Sequence, residues 1–211
     1  MSEAGARTFL IPDPDGGPGP TRAHAVPPGS ARLTGPGGPP GVVVLPIQGG
    51  DYDVSKWFTA RLARAGFAVL RVERRAEWLE ATRPLEDLAA LVPAYRDDVS
   101  RGVDAWIAAG EVDPRRLGLF GVSMGAIMGT HVLADQPRLR AGVLCLGGSG
   151  LADVLLTARD TEVAAFRRDL AAHHGVPSAQ DLAEPLHALL DPLDAAHAAP
   201  AVGAERVLLF T

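Results

Sequence analysis

The sequence has 211 residues and a formal net charge of -5 at pH 7, and 47% of its residues are hydrophobic against 21% charged. These values are ordinary for a globular domain. They exclude disorder over the whole chain, and the acidic balance argues against a nucleic-acid binder. No apolar run approaches the roughly 20 residues of a membrane-spanning helix, and the N-terminus lacks the pattern of a secretory signal. We therefore expect a cytoplasmic protein with neither a nucleic-acid nor a membrane partner.

Proline and glycine are abundant in the first 41 residues. Because proline removes a backbone donor and glycine costs conformational entropy, this region predicts short edge strands joined by turns. The strand candidates are residues 6–12 (ARTFLIP) and 21–27 (TRAHAVP), and a flexible leader is the alternative for the first dozen residues. We interpret residues 1–41 as N-terminal edge strands and turns, and residues 42–211 as the core of the domain.

From residue 41 onward, apolar runs alternate with segments of helical periodicity. The predicted strands are GVVVLPI (41–47), FAVLRVE (67–73), RLGLFGVS (116–123), AGVLCLGG (141–148) and ERVLLFT (205–211). The predicted helices are 55–66, 96–110 and 124–135. This alternation predicts an α/β fold with a mostly parallel, doubly wound sheet that helices cover on both faces. Right-handed crossovers then place the carboxyl ends of the strands along one rim, where ligands bind in such sheets.

The first predicted helix has an apolar face. Helical spacing groups Trp57, Phe58, Leu62 and Ala65, so we expect these side chains to pack against the sheet.

The alternation stops after the strand at 141–148. Residues 151–175 have the periodicity of one or two amphipathic helices, and we interpret about 151–204 as a helical insertion. Two interpretations stay open for it: a lid over the rim of the sheet, or a packed helical layer without a gating role.

The most specific local pattern is Gly121-Val122-Ser123-Met124-Gly125. It follows a predicted strand and opens a predicted helix, which is the context of a nucleophile elbow. Such a turn exposes its serine at the rim, and the N-terminus of the following helix favours a developing negative charge there. A purely structural serine is the alternative.

With this motif, the strand–helix order and the helical insertion, the region from Val42 to Thr211 resembles the α/β-hydrolase superfamily, most of all dienelactone-hydrolase-like and prolyl-oligopeptidase-like serine esterases. The resemblance implies that Ser123 is the nucleophile. It also implies an oxyanion hole formed by the backbone N–H groups of Met124 and of Gln48, with Ile47 or Gly49 as alternatives to Gln48. No metal or organic cofactor is implied, and the expected partner is a small-molecule acyl substrate.

The resemblance fails at the two other residues of a catalytic triad. In the family, the acid follows the strand after the insertion and the histidine follows later, but here residues 205–211 occupy that strand. We expect both residues to lie in a segment after Thr211. Within the sequence, Asp153 occupies an alternative acid position, and none of the six histidines lies where the family has its base.

The sequence thus predicts a serine hydrolase that cleaves an ester, thioester or related acyl bond through an acyl-enzyme. Two alternatives stay open: a catalytically incomplete binding or regulatory protein of this fold, and an acyltransferase that uses the same elbow.

Overall fold

A computed structural model describes residues 5–11, 21–47, 53–74 and 80–210. These residues form a seven-stranded sheet. The strands are β1 (Arg7–Ile11), β2 (Thr21–Val26), β3 (Gly41–Leu45), β4 (Ala68–Val72), β5 (Leu117–Val122), β6 (Leu139–Cys145) and β7 (Val207–Phe210). Their order across the sheet is β1-β2-β4-β3-β5-β6-β7.

The sheet is parallel from β4 through β3, β5 and β6 to β7, and only β1 and β2 run antiparallel at one edge. The predicted α/β fold with a mostly parallel sheet is therefore confirmed. Strand β3 has β4 on one side and β5 on the other, so the chain reverses its direction of travel across the sheet here. The carboxyl ends of β3 and β5 therefore border the crevice in which ligands bind in such folds.

Seven α-helices occur in the described residues: α1 (Asp53–Ala65), α2 (Leu91–Ala108), α3 (Met124–Asp135), α4 (Leu151–Thr157), α5 (Thr161–His173), α6 (Ala183–Leu190) and α7 (Ala195–Ala198). The prediction for α2 was wrong at its start, because the helix begins at Leu91 instead of residue 96. Pro93 lies in the first turn, where a missing N–H breaks no intrahelical bond, so proline is tolerated there.

The predicted buried face of α1 was also partly wrong. Ser55 and Thr59 are buried, whereas Trp57 is 49% exposed. Burial of Thr59 is tolerated because its hydroxyl donates to the Ser55 carbonyl at 2.8 Å. The Trp57 ring instead lies 5.0 Å from the Arg61 guanidinium. The prediction holds for Phe58, whose ring centroid lies 4.4 Å from that of Phe120 in β5. Small side chains take the place predicted for Trp57.

Helices cover the two faces of the sheet unequally in the described part of the chain. Helices α2 and α3 pack over the larger core cluster. On the opposite face, α1 packs on β3 and β4 around a small cluster that includes Val44 and Val69. At the far edge, Leu208 and Leu209 of β7 are 55% and 66% exposed. Helices thus lie on both faces of the sheet, as the alternation predicted. In the described part of the chain they leave β7 exposed on both faces, because Leu208 and Leu209 are consecutive and point to opposite sides.

Helices α4–α7 form the predicted insertion between β6 and β7. Leu156, Leu170 and Leu186 are buried and belong to the same cluster as the sheet. The insertion is therefore packed onto the core as a helical layer. Among the described residues, no helix is long and apolar enough to cross a membrane.

Candidate active site

Ser123 is the single residue between β5 and α3. Its backbone has φ 53° and ψ -120°, a conformation that L-residues seldom adopt and that costs about 1–3 kcal/mol. Its N–H donates to the Cys145 carbonyl at 2.8 Å, which ties the turn to the end of β6. The residue is exposed at the carboxyl end of β5. The predicted strand–turn–helix geometry of an elbow is therefore confirmed.

Two glycines make this turn possible. A Cβ atom on Gly121 would lie 2.2 Å from the carbonyl oxygen of Gly125. A Cβ atom on Gly125 would lie 2.8 Å from the carbonyl oxygen of Pro46 and 2.9 Å from that of Leu45. Because backbone atoms form these contacts, no rotamer change can relieve them. Both glycines of the motif are thus required by close backbone approach.

The same geometry places one candidate oxyanion donor, the Met124 N–H, directly after Ser123. Met124 opens α3, so its N–H has no acceptor within the helix. The end of β3 lies beside the elbow. Leu45 pairs with Gly121, and the Pro46 carbonyl oxygen lies next to Gly125. Gln48, the second predicted donor, and Gly49, one of its alternatives, lie outside the described residues, so that side of the oxyanion hole stays a prediction.

A general base for Ser123 is not found among the described residues, which include all six histidines. His24 contacts Glu73 at 2.5 Å and Thr8 at 3.1 Å. His131 is hydrogen-bonded to the backbone of Leu193, and burial lowers its pKa. Both rings are thus engaged away from the elbow.

The remaining histidines lie on the insertion. His187 lies 3.5 Å from Asp153 and 3.1 Å from Asp191, which joins α4 to the end of α6. Asp153, the alternative acid, thus pairs with His187, and no hydrogen bond joins either side chain to Ser123. His173 and His174 stack edge to face at the end of α5, and His197 is in α7.

Asp194, which no pattern in the sequence indicated as a site residue, is a buried carboxylate that links the insertion to the rim. Its Oδ2 accepts hydrogen bonds from the N–H groups of Gly150 and Leu151, and its Oδ1 accepts one from Ala196 at 2.8 Å. Burial alone would raise the pKa of Asp194. The three N–H donors lower the pKa by more than burial raises it, so the pKa lies below its usual value. Only the bond to Ala196 follows a recognisable sequence signal, an aspartate before a short helix.

The strain at Ser123 leads to a stability prediction. Glycine adopts positive φ without a Cβ penalty, so Ser123→Gly should have a free energy of unfolding about 1 kcal/mol higher than Ser123→Ala. Urea denaturation of the two variants measures the difference. Equal stabilities would contradict the strained geometry.

Comparisons with known proteins support the fold. No family model matches the sequence, and no curated protein matches it significantly. The acylaminoacyl peptidase of Pyrococcus horikoshii aligns with 97% of this chain and 31% of its own, at 17% identity and a TM-score of 0.66. The acetyl xylan esterase of Paenibacillus sp. R4 aligns with 97% of this chain and 72% of its own, at 17% identity and a TM-score of 0.62.

A third solved structure, provisionally assigned as a dienelactone hydrolase of Klebsiella pneumoniae subsp. pneumoniae, aligns with 98% of this chain and 85% of its own. Its identity is 17% and its TM-score 0.55. The order of strands, the elbow between β5 and α3 and these structural matches agree: the chain has the α/β-hydrolase fold.

Proposed function

We propose that this protein is a serine hydrolase that cleaves an ester, thioester or related acyl bond. The observation that carries the proposal is Ser123, a strained and exposed serine at the carboxyl end of β5 and the N-terminus of α3. Strain of this kind persists only where surrounding structure enforces it, and it concentrates at functional sites. The three solved structures described above are named a peptidase, an esterase and a hydrolase, which supports hydrolysis as the reaction class.

In the proposed reaction, the Ser123 oxygen attacks the acyl carbonyl and loses its proton to a base. The Met124 N–H, with Gln48 as the proposed second donor, stabilises the tetrahedral oxyanion; each such donor contributes about 3 kcal/mol. The intermediate collapses to an acyl-enzyme as the leaving group departs with the proton. Water then attacks the acyl carbon, and the acid product and free Ser123 result.

The base is the missing part of this scheme. We propose that it and its carboxylate are supplied by chain that follows β7. Geometry supports this placement, because β7 runs parallel to β6 and its end lies at the same rim as the elbow. The Leu146 N–H donates to the Phe210 carbonyl at 2.7 Å. Leu146 directly follows Cys145, whose carbonyl accepts the hydrogen bond from the Ser123 N–H.

The test is covalent labelling of the complete gene product with a fluorophosphonate. We expect one labelled serine, and we expect Ser123→Ala to abolish labelling and lower hydrolysis of a simple aryl ester by at least about 10⁴-fold. Ser149→Ala, which changes another exposed serine at the rim, is the matched control and should label normally. Unchanged labelling of Ser123→Ala would refute the assignment.

A second candidate is a catalytically incomplete binding protein of the same fold. One observation favours it: no described histidine or carboxylate forms a hydrogen bond with Ser123. The labelling experiment separates the two, because a binding protein would retain an ester without cleaving it or reacting with the fluorophosphonate. An acyltransferase would label, but would transfer the acyl group to an added alcohol in preference to water.

A further inference from the structure

A small apolar cavity lies directly beside the elbow. Its volume is about 60 Å³, and Met124, the residue after Ser123, forms part of its wall. The described residues that line it are Leu88, Leu91, Met124, Leu151, Val154, Leu155, Val163, Phe166 and Leu190. A larger cavity of about 430 Å³ lies between α3, α7 and β7, but Met124 does not line it. Of these two cavities, the smaller one thus adjoins Met124, the residue that follows the candidate nucleophile.

Both layers of the fold build this cavity. Met124 and Leu91 come from the core helices, whereas Val154 and Phe166 come from α4 and α5 of the insertion. Val154 and Phe166 are only half-buried, although they face an apolar space. The insertion therefore presents apolar side chains beside the elbow that remain partly exposed after it has packed on the core.

We infer that this cavity is the acyl subsite, and that it selects an uncharged, aliphatic acyl group of a few carbons. This inference rests on the proposed function of Ser123. None of the described residues that line the cavity is charged, and a carboxylate buried against them would lack a charged partner, which is costly. Each methylene of a bound acyl chain would instead replace contact with water by contact with leucine, valine and phenylalanine side chains.

The first experiment measures labelling rates of the complete gene product with ethyl alkylphosphonofluoridates that carry methyl, butyl and octyl groups. We expect the rate to rise about fourfold per methylene until the cavity is filled. Phe166→Ala should move the optimum to a longer chain, and Val154→Trp should remove the gain from methyl to butyl. Leu189→Ala, a half-buried α6 residue outside the cavity, is the control and should keep the original profile.

A flat chain-length profile, or the same shift in Leu189→Ala, would overturn the inference. A second experiment is independent of catalysis: NMR titration of Ser123→Ala with methyl hexanoate and with monomethyl succinate. We expect methyl hexanoate to bind about tenfold or more tightly than the charged ester, and Val154→Trp to weaken it.

The two failures are distinguishable. If no phosphonate labels Ser123 but methyl hexanoate binds in a manner that Val154→Trp disrupts, the proposed function is wrong and the apolar subsite stands. If Ser123 is labelled but methyl hexanoate does not bind, the subsite inference is wrong and the hydrolase proposal stands.

Discussion

Gly121→Ala should lower the free energy of unfolding by about 3 kcal/mol or more and abolish fluorophosphonate labelling. The added methyl group would lie 2.2 Å from the Gly125 carbonyl oxygen, so the strand end and the helix start must separate. That movement displaces Ser123 from its position between them. Urea denaturation measures the stability, and the labelling assay measures the geometry of the elbow.

The control for Gly121→Ala is Gly148→Ala. Gly148 also lies at the rim, after β6, but a Cβ atom there meets nothing within 4 Å. We expect its stability to stay within about 0.5 kcal/mol of the parent protein. Equal stability of the two variants would contradict the close approach of Gly121 and Gly125. It would also contradict the explanation that this approach requires glycine in the motif.

Asp194→Ala should be the second most damaging change, with a loss of about 2–4 kcal/mol in the free energy of unfolding. The substitution leaves the N–H groups of Gly150, Leu151 and Ala196 without their carboxylate acceptor, and charge-assisted bonds of this kind are among the stronger ones. Since these bonds join α4 and α7 to the rim, hydrogen exchange should increase first in the insertion.

The pH dependence of stability gives an independent check on Asp194. The pKa of Asp194 in the folded protein lies below the unfolded value of about 3.9. The stabilisation that the ionised carboxylate provides is therefore fully present at pH values above about 3.9. The contribution is lost as pH falls through the lower folded pKa. The difference in stability between the parent and Asp194→Ala should therefore shrink between about pH 5 and pH 2. Asp191→Ala, which removes a carboxylate that is more than half exposed, should show a much smaller difference at every pH.

The elements that sequence predicted well share one property: local chemistry defines their boundaries. The apolar run that begins at Gly41 predicted β3. The glycine–serine pattern around Ser123 predicted both the end of β5 and the start of α3. Where packing decides, prediction was weaker. Helical spacing placed Trp57, Phe58, Leu62 and Ala65 on the inner face of α1. Phe58 and Leu62 do pack towards the sheet, whereas Trp57 is exposed. Ser55 and Thr59 are buried instead, because close approach of a helix favours small side chains.

The candidate site divides in the same way. Sequence alone determined the α/β class, the position of the candidate nucleophile and its place at the start of a helix, because each depends on residues adjacent in the chain. Only the tertiary structure decided that Asp194 joins the insertion to Gly150, more than forty residues away. It also decided that Phe166 of the insertion faces a cavity beside Met124. Contacts between distant segments depend on how whole layers of helices and strands pack. Local sequence patterns do not predict that packing.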